Sequence, residues 1–341
     1  MSGVGEQPNT PSQHITSMPA RHNLLLLDKH QVEQLLAPQE VLSAVREAFV
    51  LHGRRAGRVF PFIREKLPGG AVFGIKAGDV PAHSLLGFKA AGFWPSNRQR
   101  GSEPHQATIV LVDPTNGRPT CILDGNAVTA QRTGAAGGLG LDLLARPDSS
   151  RVCVFGAGVQ ARAQLMFALW LRPLLQHVTY LTSNQRADAA FEAAFADRCH
   201  IEHSRDPNAA VTASDVVITA TPGRGPLFDT RAVRPGTHLN CVGSDTIGKR
   251  EVPSELLARA RMFVDDREQA RQIGELQWVS PDTPCTELGE ALLAIPPFER
   301  HRDDITLFDM TGIALQDLTV ANSLFMRAAR ESIGTSLPWP W

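Results

Sequence analysis

The stretch Arg151–Gln164, RVCVFGAGVQARAQ, decides how this chain folds. The apolar run 152–155 is typical of a buried parallel strand, and helix-forming residues directly follow Gly156-Ala157-Gly158. A strand that ends at glycines and continues as a helix presents free backbone N–H groups and the positive end of the helix dipole. Ala161, the third small position, lets helix and strand pack closely. The stretch predicts a site for a dinucleotide pyrophosphate; the alternative is an ordinary glycine-rich turn.

Length and charge limit what the chain does. With 341 residues it is long enough for two domains, and its 43% apolar and 20% charged residues are typical of a globular protein in water. The net charge of −1 gives no electrostatic basis for binding nucleic acid or an anionic membrane surface. No apolar run approaches the roughly 20 residues that cross a bilayer.

The cysteines and the first residues predict a compartment. Five cysteines lie far apart without a C-x-x-C pair, which indicates buried apolar residues in a reducing environment rather than disulfides or a metal site. Residues 1–21 are polar and rich in Pro, Ser and Thr, so they predict a disordered tail rather than a secretion signal. We therefore expect a cytoplasmic protein.

Two patterns divide the rest of the sequence. Residues 22–125 alternate like strands around a helix at 38–53, with a hairpin turn at 113–117, and predict an α+β domain. Residues 126–315 begin with a helix at 127–145 and alternate strands with helices, which predicts α/β architecture with a doubly wound parallel sheet of the Rossmann type. We expect segment 316–341, with a helix at 318–333, to complete the first domain. The predicted strands are 24–27, 60–63, 72–76, 86–93, 107–112, 119–123, 152–155, 177–181, 214–219, 237–242 and 261–264.

The second strand of the nucleotide domain bears on the cofactor. In a Rossmann unit that prefers NAD, an acidic residue about 20 residues beyond the glycines binds the ribose 2′-hydroxyl. Here the strand ends in Thr182, Ser183 and Asn184, and no carboxylate is present there. With Arg186 close by, these groups suit a 2′-phosphate, so the sequence predicts NAD(P)H with NADP(H) favoured. The alternative is that Arg186 is a solvated helix residue.

Three further side chains suit a reaction. Lys89 stands in an otherwise apolar strand, where a buried ammonium is costly unless it meets an anion or serves as a perturbed acid. Arg132 lies among small residues, and it either reaches a carboxylate or pyrophosphate or forms a surface salt bridge. Asp245 follows an apolar strand, at the edge where open α/β sheets bind ligands, and it either transfers protons or caps a helix.

From about Leu24 to Ile333 the order of motifs resembles one known family. The motifs are GFK (87–89), PSN (95–97), HQAT (105–108), DPTNG (113–117), DGNAVTAQRTGAA (124–136), RPDSSRVCVFGAGVQA (146–161), GSDTIGKRE (243–251) and FDMTGIALQD (308–317). On these motifs the chain resembles the ornithine cyclodeaminase/mu-crystallin family. Its iminosuccinate reductase and ketimine reductase-like branch is most similar at FPFIRE (60–65), GFK (87–89), FWPSN (93–97), GKRE (248–251) and IGE (273–275).

The resemblance implies a homodimer in which the α+β domain forms both the dimer contact and the substrate site. It implies that Asp245 gives and takes the proton and that Lys89 belongs to the reacting site. The implied substrate residues are Arg64, Lys89, Arg132 and Thr311, of which Arg132 also meets the cofactor. The implied cofactor residues are Gly156, Gly158, Val159 and Gln160 at the pyrophosphate and Thr221, Val242, Ser244 and Lys249 at the nicotinamide.

These roles suit chemistry at a carbon that bears nitrogen and a carboxylate. The sequence thus predicts an NAD(P)H-dependent reductase of a small α-imino acid such as iminosuccinate, which in reverse is an L-amino acid dehydrogenase. Two alternatives stay open. One is a cyclodeaminase that releases ammonia from ornithine or lysine and recycles its NAD. The other is a non-catalytic binder of NADP or a small ligand, like the crystallin relatives.

Overall fold

Two eight-stranded sheets form the framework of the structure, a computed structural model that describes residues 23–338. The predicted tail 1–21 lies outside the described residues. The strands are β1 Asn23–Leu27, β2 Arg58–Val59, β3 Ile63–Lys66, β4 Val72–Val80, β5 Leu85–Phe93, β6 His105–Val112, β7 Pro119–Asp124, β8 Arg151–Phe155, β9 His177–Leu181, β10 His200–His203, β11 Val216–Thr219, β12 His238–Cys241, β13 Arg261–Val264, β14 Cys285–Glu287, β15 Thr306–Asp309 and β16 Thr335–Pro338. The α-helices are α1 Lys29–Leu35, α2 Pro38–Gly53, α3 Gly125–Leu144, α4 Val159–Leu171, α5 Ala189–Ala193, α6 Pro207–Thr212, α7 Ser254–Leu257, α8 Arg267–Ile273, α9 Leu288–Leu293 and α10 Ala314–Glu331.

The first sheet is mostly antiparallel. Its order is β16-β1-β7-β6-β5-β4-β2, β3 also pairs with β4, and only β1 and β7 run parallel among the described strands. On the face covered by α3 and α10, Ile109 and Leu123 are fully buried. On the opposite face Phe88, Val110 and Ile122 form a cross-strand row that is only half-buried. The sheet therefore leaves an apolar second face open.

The second sheet is parallel throughout, in the order β10-β9-β8-β11-β12-β15-β13-β14. Its central strands are continuously buried, as expected when helices cover both faces. After β8 the chain first builds outward to β9 and β10, and it later returns to place β11 on the other side of β8. Ligands of such sheets bind at this switch point, beyond the carboxyl ends of the strands. The predicted α/β fold class, a doubly wound sheet beside an α+β part, is confirmed.

Several strand predictions were wrong. In place of a strand at 60–63 the chain forms β2 and β3, because Pro61 between them cannot donate a ladder hydrogen bond. Strand β4 continues to Val80 rather than ending at Lys76. Strands β10, β14 and β15, of three or four residues each, were not predicted.

The end of the chain returns to the first sheet by two elements. Helix α10 packs on α2, β4 and β5, and β16 pairs antiparallel with β1. The helix predicted at 318–333 is present as α10, but it does not extend through 316–341: it ends at Glu331, where Ser332 and Gly334 adopt positive φ and turn the chain into β16. Residues 339–341 lie outside the described residues. The domain boundaries 22–125 and 126–315 stay a prediction.

Helix α3 connects the two sheets and packs against elements of both. Asp124 caps it by accepting a hydrogen bond from the backbone N–H of Ala127. Nearby, the rings of Phe49 and Phe308 lie 6.2 Å apart, so the cores on the two sides are continuous. Within the described residues no helix combines the length and hydropathy needed to cross a bilayer.

Candidate active site

A cavity of about 180 Å³ opens where α3 passes between the sheets. Sites for drug-sized ligands span roughly 300–1,000 Å³, so this cavity suits a small metabolite. Helix α4 begins beside the cavity: Gln160, in the first turn of that helix, forms part of the cavity wall. The structure brings seven of the predicted site residues into its wall: Arg64, Lys89, Arg132, Gln160, Val242, Asp245 and Thr311.

Arg64 and Asp245 meet across the cavity from opposite sheets. The guanidinium Nη2 of Arg64 lies 2.9 Å from Oδ2 of Asp245 and 3.1 Å from the hydroxyl of Thr246. Gly74, opposite Arg64 on β4, leaves room for the Arg64 side chain. A Cβ at this position would lie 3.3 Å from Cδ of Arg64 and 2.6 Å from the carbonyl oxygen of Ile63. This ion pair thus joins the predicted substrate-binding arginine to the predicted proton-transfer residue.

Asp245 is held as a carboxylate. Burial alone raises its pKa, but the positive charges of Lys249, Arg64 and Lys76 outweigh burial and lower the pKa to about 2. The ammonium of Lys249 lies 3.3 Å from Oδ1 of Asp245. No helix of the described chain begins at Asp245, since the next one starts at Ser254, so the alternative of a helix cap is wrong.

Lys89 and Arg132 converge on one buried carboxylate, Asp317 in the first turn of α10. The Nζ atom of Lys89 lies 2.7 and 2.8 Å from the two carboxylate oxygens and 3.2 Å from the hydroxyl of Thr129. Nε of Arg132 lies 3.0 Å from Oδ1 of Asp317, and Nη1 donates to Gln316 at 2.9 Å. Asp317 has no solvent exposure, and Arg132 is only 6% exposed, so the alternative of a surface salt bridge is wrong.

The same network sets the proton affinity of Lys89. Burial and the nearby guanidinium of Arg132 lower the pKa of Lys89, Asp317 counteracts them in part, and the net pKa is about 7. Lys89 therefore exchanges a proton near neutral pH, unlike an exposed lysine.

Lys76 lines the cavity too, and sequence reasoning missed it. Its Nζ donates to the backbone carbonyls of Thr311 and Gly312, at 2.7 and 2.6 Å. The hydroxyl of Thr311 donates to Asp265 at 2.7 Å, and Gly312 N–H donates to the same carboxylate. The predicted substrate residue Thr311 is thus fixed from both sides. A lysine inside the strand VFGIKAGDV was the signal available for Lys76.

The glycine turn after β8 fits a dinucleotide pyrophosphate. Gly156 has φ of 111°, which favours glycine, and a Cβ there would lie 2.7 Å from the carbonyl oxygen of Ala220 after β11. A Cβ on Gly158 would meet open space, and no side chain caps the helix that begins at Val159. The side-chain oxygen of Gln160 is buried and accepts no hydrogen bond from the described residues. The free backbone N–H donors at the start of this helix suit an anionic ligand.

The tip of β9 carries hydroxyl and amide groups. Thr182 donates to the carbonyl of Arg186 at 2.7 Å, and Asn184 accepts from Arg186 N–H at 3.0 Å. Ser183, Asn184 and Arg186 are exposed, and the residues 182–186 contain no carboxylate. Thr182, Ser183 and Asn184, predicted to contact the cofactor, thus lie in one polar turn at the carboxyl edge of the second sheet.

Glu251, which sequence reasoning missed, ties together the loops after β11 and β12. Its carboxylate accepts from the N–H and hydroxyl of Thr221, at 2.7 and 2.6 Å, and from Gly243 N–H at 2.7 Å. Ser244 is buried and donates to the carbonyl of Lys249 at 2.9 Å. These hydrogen bonds hold the two loops together. The wall of the cavity does not include Thr221, Ser244 or Lys249, and their place beside the nicotinamide stays a prediction.

Two relatives match almost the full length of the chain. Alanine dehydrogenase of Archaeoglobus fulgidus is 31% identical over 329 residues, which cover 92% of this chain and 98% of that protein. Iminosuccinate reductase of Paracoccus denitrificans is 30% identical over 326 residues, which cover 91% of this chain and 98% of that protein. Both names describe enzymes that act on an amino or imino acid.

Solved structures agree with these relatives. An archaeal alanine dehydrogenase dimer with bound NAD superposes with a TM-score of 0.87 at 29% identity, over 93% of this chain and 100% of that one. The Δ1-pyrroline-2-carboxylate reductase of Thermococcus litoralis, in complex with NADH and L-proline, gives a TM-score of 0.86 at 27% identity, over 92% of this chain and 100% of that one. Residues 23–332 match the profile of one family, so the resemblance drawn from the motifs is confirmed: the chain belongs to the ornithine cyclodeaminase/mu-crystallin family.

Proposed function

We propose that this protein is an NAD(P)H-dependent reductase that converts a small α-imino acid into an L-amino acid, with a dicarboxylic imine such as iminosuccinate as substrate. The observation that carries the proposal is an ionisable aspartate, Asp245, paired with Arg64 across a small cationic cavity that adjoins the glycine turn. The names of the relatives, which act on alanine and on iminosuccinate, support the same class of reaction.

The charge of the cavity supports a dianionic substrate. Four cationic side chains line it, and two carboxylates, Asp245 and Asp265, oppose them; the cations are Arg64, Lys76, Lys89 and Arg132. The wall therefore carries an excess of two positive charges. Including Asp317, which pairs with Lys89, and Lys249, which pairs with Asp245, does not change this excess. A substrate with two carboxylates neutralises this excess. The second amine of ornithine or lysine adds to it, which opposes a cyclodeaminase.

The mechanism begins with an exchange of partners on Arg64. The α-carboxylate of the substrate takes the place of Asp245 on the guanidinium, and Lys89 and Arg132 hold the same end of the substrate. Asp245, released from one of its cations, regains proton affinity and relays a proton to the substrate nitrogen. A reduced dinucleotide, which Gly156 and Gly158 would hold by its pyrophosphate, would supply the hydride. The surrounding cations withdraw electron density from the carbon that accepts it.

Replacing the proton-transfer residue tests this mechanism. In Asp245→Asn we expect turnover of oxaloacetate plus ammonia, followed by the absorbance of the reduced cofactor, to fall at least about 100-fold, because an amide cannot relay the proton. Cofactor binding, followed by nicotinamide fluorescence, persists. The matched control is Asp148→Asn, an exposed aspartate ahead of β8, which keeps full turnover. Undiminished turnover in Asp245→Asn contradicts the mechanism.

The lowered pKa values of the cavity lysines predict a pH dependence. Lys89 and Lys76 have pKa values of about 7 and about 8, so each is charged below its pKa and loses its proton above it. We expect the inhibition constant of succinate, a stable dianion, to rise from about pH 6 to about pH 9, by up to tenfold per unit for each proton lost. Calorimetry in buffers of different ionisation enthalpy should show proton uptake on binding near pH 8. Constant affinity across this range contradicts the role of the lysines.

We propose NADP(H) as the preferred cofactor, on the polar turn at the tip of β9. The neighbouring structures bind NAD or NADH, so this preference rests on Thr182, Ser183, Asn184 and Arg186 of this chain. In Arg186→Ala we expect the KM for NADPH to rise about tenfold or more, through loss of a charged contact to the 2′-phosphate, with that for NADH unchanged. Arg302→Ala, exposed near the opposite edge of the sheet, is the control. Equal KM values for both cofactors in the unsubstituted protein overturn the preference.

We propose that a second copy of the chain covers the open face of the first sheet. The row Phe88, Val110 and Ile122 is apolar and half-buried in the single chain, and the archaeal alanine dehydrogenase is a dimer. We expect light scattering after size-exclusion chromatography to give a dimer, and Val110→Glu to give a monomer because it buries two charges at the contact. Leu174→Glu, exposed away from this face, should remain dimeric. A monomeric unsubstituted protein refutes the proposal.

A further inference from the structure

We propose that Lys76 determines substrate specificity by binding the second, distal carboxylate of the substrate. This inference rests on the proposed function, and it adds a subsite that the roles implied by the family resemblance leave unassigned. With such a subsite, the protein discriminates between substrates by the length and charge of their side chains.

The position of Lys76 puts two lysine side chains next to each other on one face of the first sheet. Lys76 on β4 is the cross-strand partner of Lys89 on β5, so both side chains leave the same face of the sheet and both line the cavity. Like charges directly opposite each other in a sheet are destabilising. A dicarboxylate with one carboxylate on each lysine offsets this repulsion, and the cavity that both lysines line has room for such a ligand.

Lys76 differs from the other cations of the cavity in having no acidic partner. Arg64 pairs with Asp245, whereas Lys89 and Arg132 share Asp317. Among residues 23–338 Lys76 forms no ion pair: Asp265, whose charge acts on it most among the acids, accepts hydrogen bonds from Thr311 and Gly312 instead. A part-buried cation that lacks a protein counter-ion is a position for a ligand carboxylate.

The hydrogen bonds of Lys76 leave room for that ligand. An ammonium carries three N–H donors, and the carbonyls of Thr311 and Gly312 accept from two of them. The two carbonyls fix Nζ without neutralising it, so the third donor and the full charge remain for the cavity. Strand β4 lies between β3 and β5, so Lys76 stands between the strands that carry Arg64 and Lys89. Neighbouring strands lie about 4.8 Å apart, a distance that a four-carbon dicarboxylate can bridge, so one carboxylate on Lys89 leaves the other within reach of Lys76.

The test compares two keto acids with ammonia, oxaloacetate and pyruvate, whose imines differ in the distal carboxylate. In Lys76→Met, which keeps an unbranched chain and removes the charge, we expect the ratio of kcat/KM for oxaloacetate over pyruvate to fall about tenfold or more, mostly through KM. Lys76→Arg, which keeps the charge, should retain most of the ratio. The inhibition constant of succinate should rise in Lys76→Met, and that of propionate, which lacks the second carboxylate, should change far less.

The outcomes separate this inference from the proposed function. If the unsubstituted protein reduces neither imine with either cofactor, the proposed function fails. If it reduces them but Lys76→Met lowers both kcat/KM values equally, or leaves their ratio unchanged, the distal subsite is refuted while the reductase stands. Lys76→Gln, which retains hydrogen bonding to the two carbonyls, gives the same comparison should Lys76→Met fail to fold. A ratio preserved in Lys76→Gln likewise overturns the inference.

Discussion

The carboxylate of Asp317 is fully buried, and it forms ion pairs there with two cationic side chains from different parts of the chain. A buried charge persists only when it is paired, and loss of one partner leaves the others uncompensated. Because Lys89 comes from β5, Arg132 from α3 and Asp317 from α10, this one cluster joins the first sheet, the connecting helix and the returning end of the chain. The first turn of α10, the positive end of its dipole, adds to the stability of a carboxylate there. The cationic wall of the cavity is therefore in place before any ligand binds.

The sequence predicted the elements that have a strong local pattern. The strand β8, the glycines that end it and the helix after it are contiguous, so one stretch determined that part of the fold. Lys89 was found because it interrupts an apolar strand. Lys76 gives the same signal, but the strand was predicted to end there, and a lysine at a strand end draws no notice. In the structure β4 continues to Val80, which puts Lys76 in the middle of a strand.

Pairings between distant residues were beyond sequence reasoning. Asp317 lies 228 residues from Lys89 along the chain, and nothing in FDMTGIALQD says which cation it meets. Glu251 likewise accepts hydrogen bonds from Thr221 and Gly243, which lie in two separate loops. Those loops come together only because strands β11 and β12 are neighbours in the sheet. The short strand β15 lies in the centre of the second sheet, yet it was not predicted. Such features follow from packing in three dimensions, which sequence spacing does not encode.

The pKa of Asp245 connects recognition of the substrate to proton transfer. A carboxyl group with a pKa of about 2 is a poor acid near neutral pH, where a general acid works best with a pKa close to the operating pH. Three cations hold that pKa down: Lys249, Arg64 and Lys76. In the proposed complex, a substrate carboxylate on Arg64 would neutralise one of them and a second carboxylate on Lys76 another, which would leave Lys249 alone. On this proposal a dianionic imine would raise the proton affinity of Asp245 further than a monoanionic one would. In the proposed mechanism the charges that select the substrate would be the same charges that raise the proton affinity of Asp245, so specificity would affect the reaction step as well as binding.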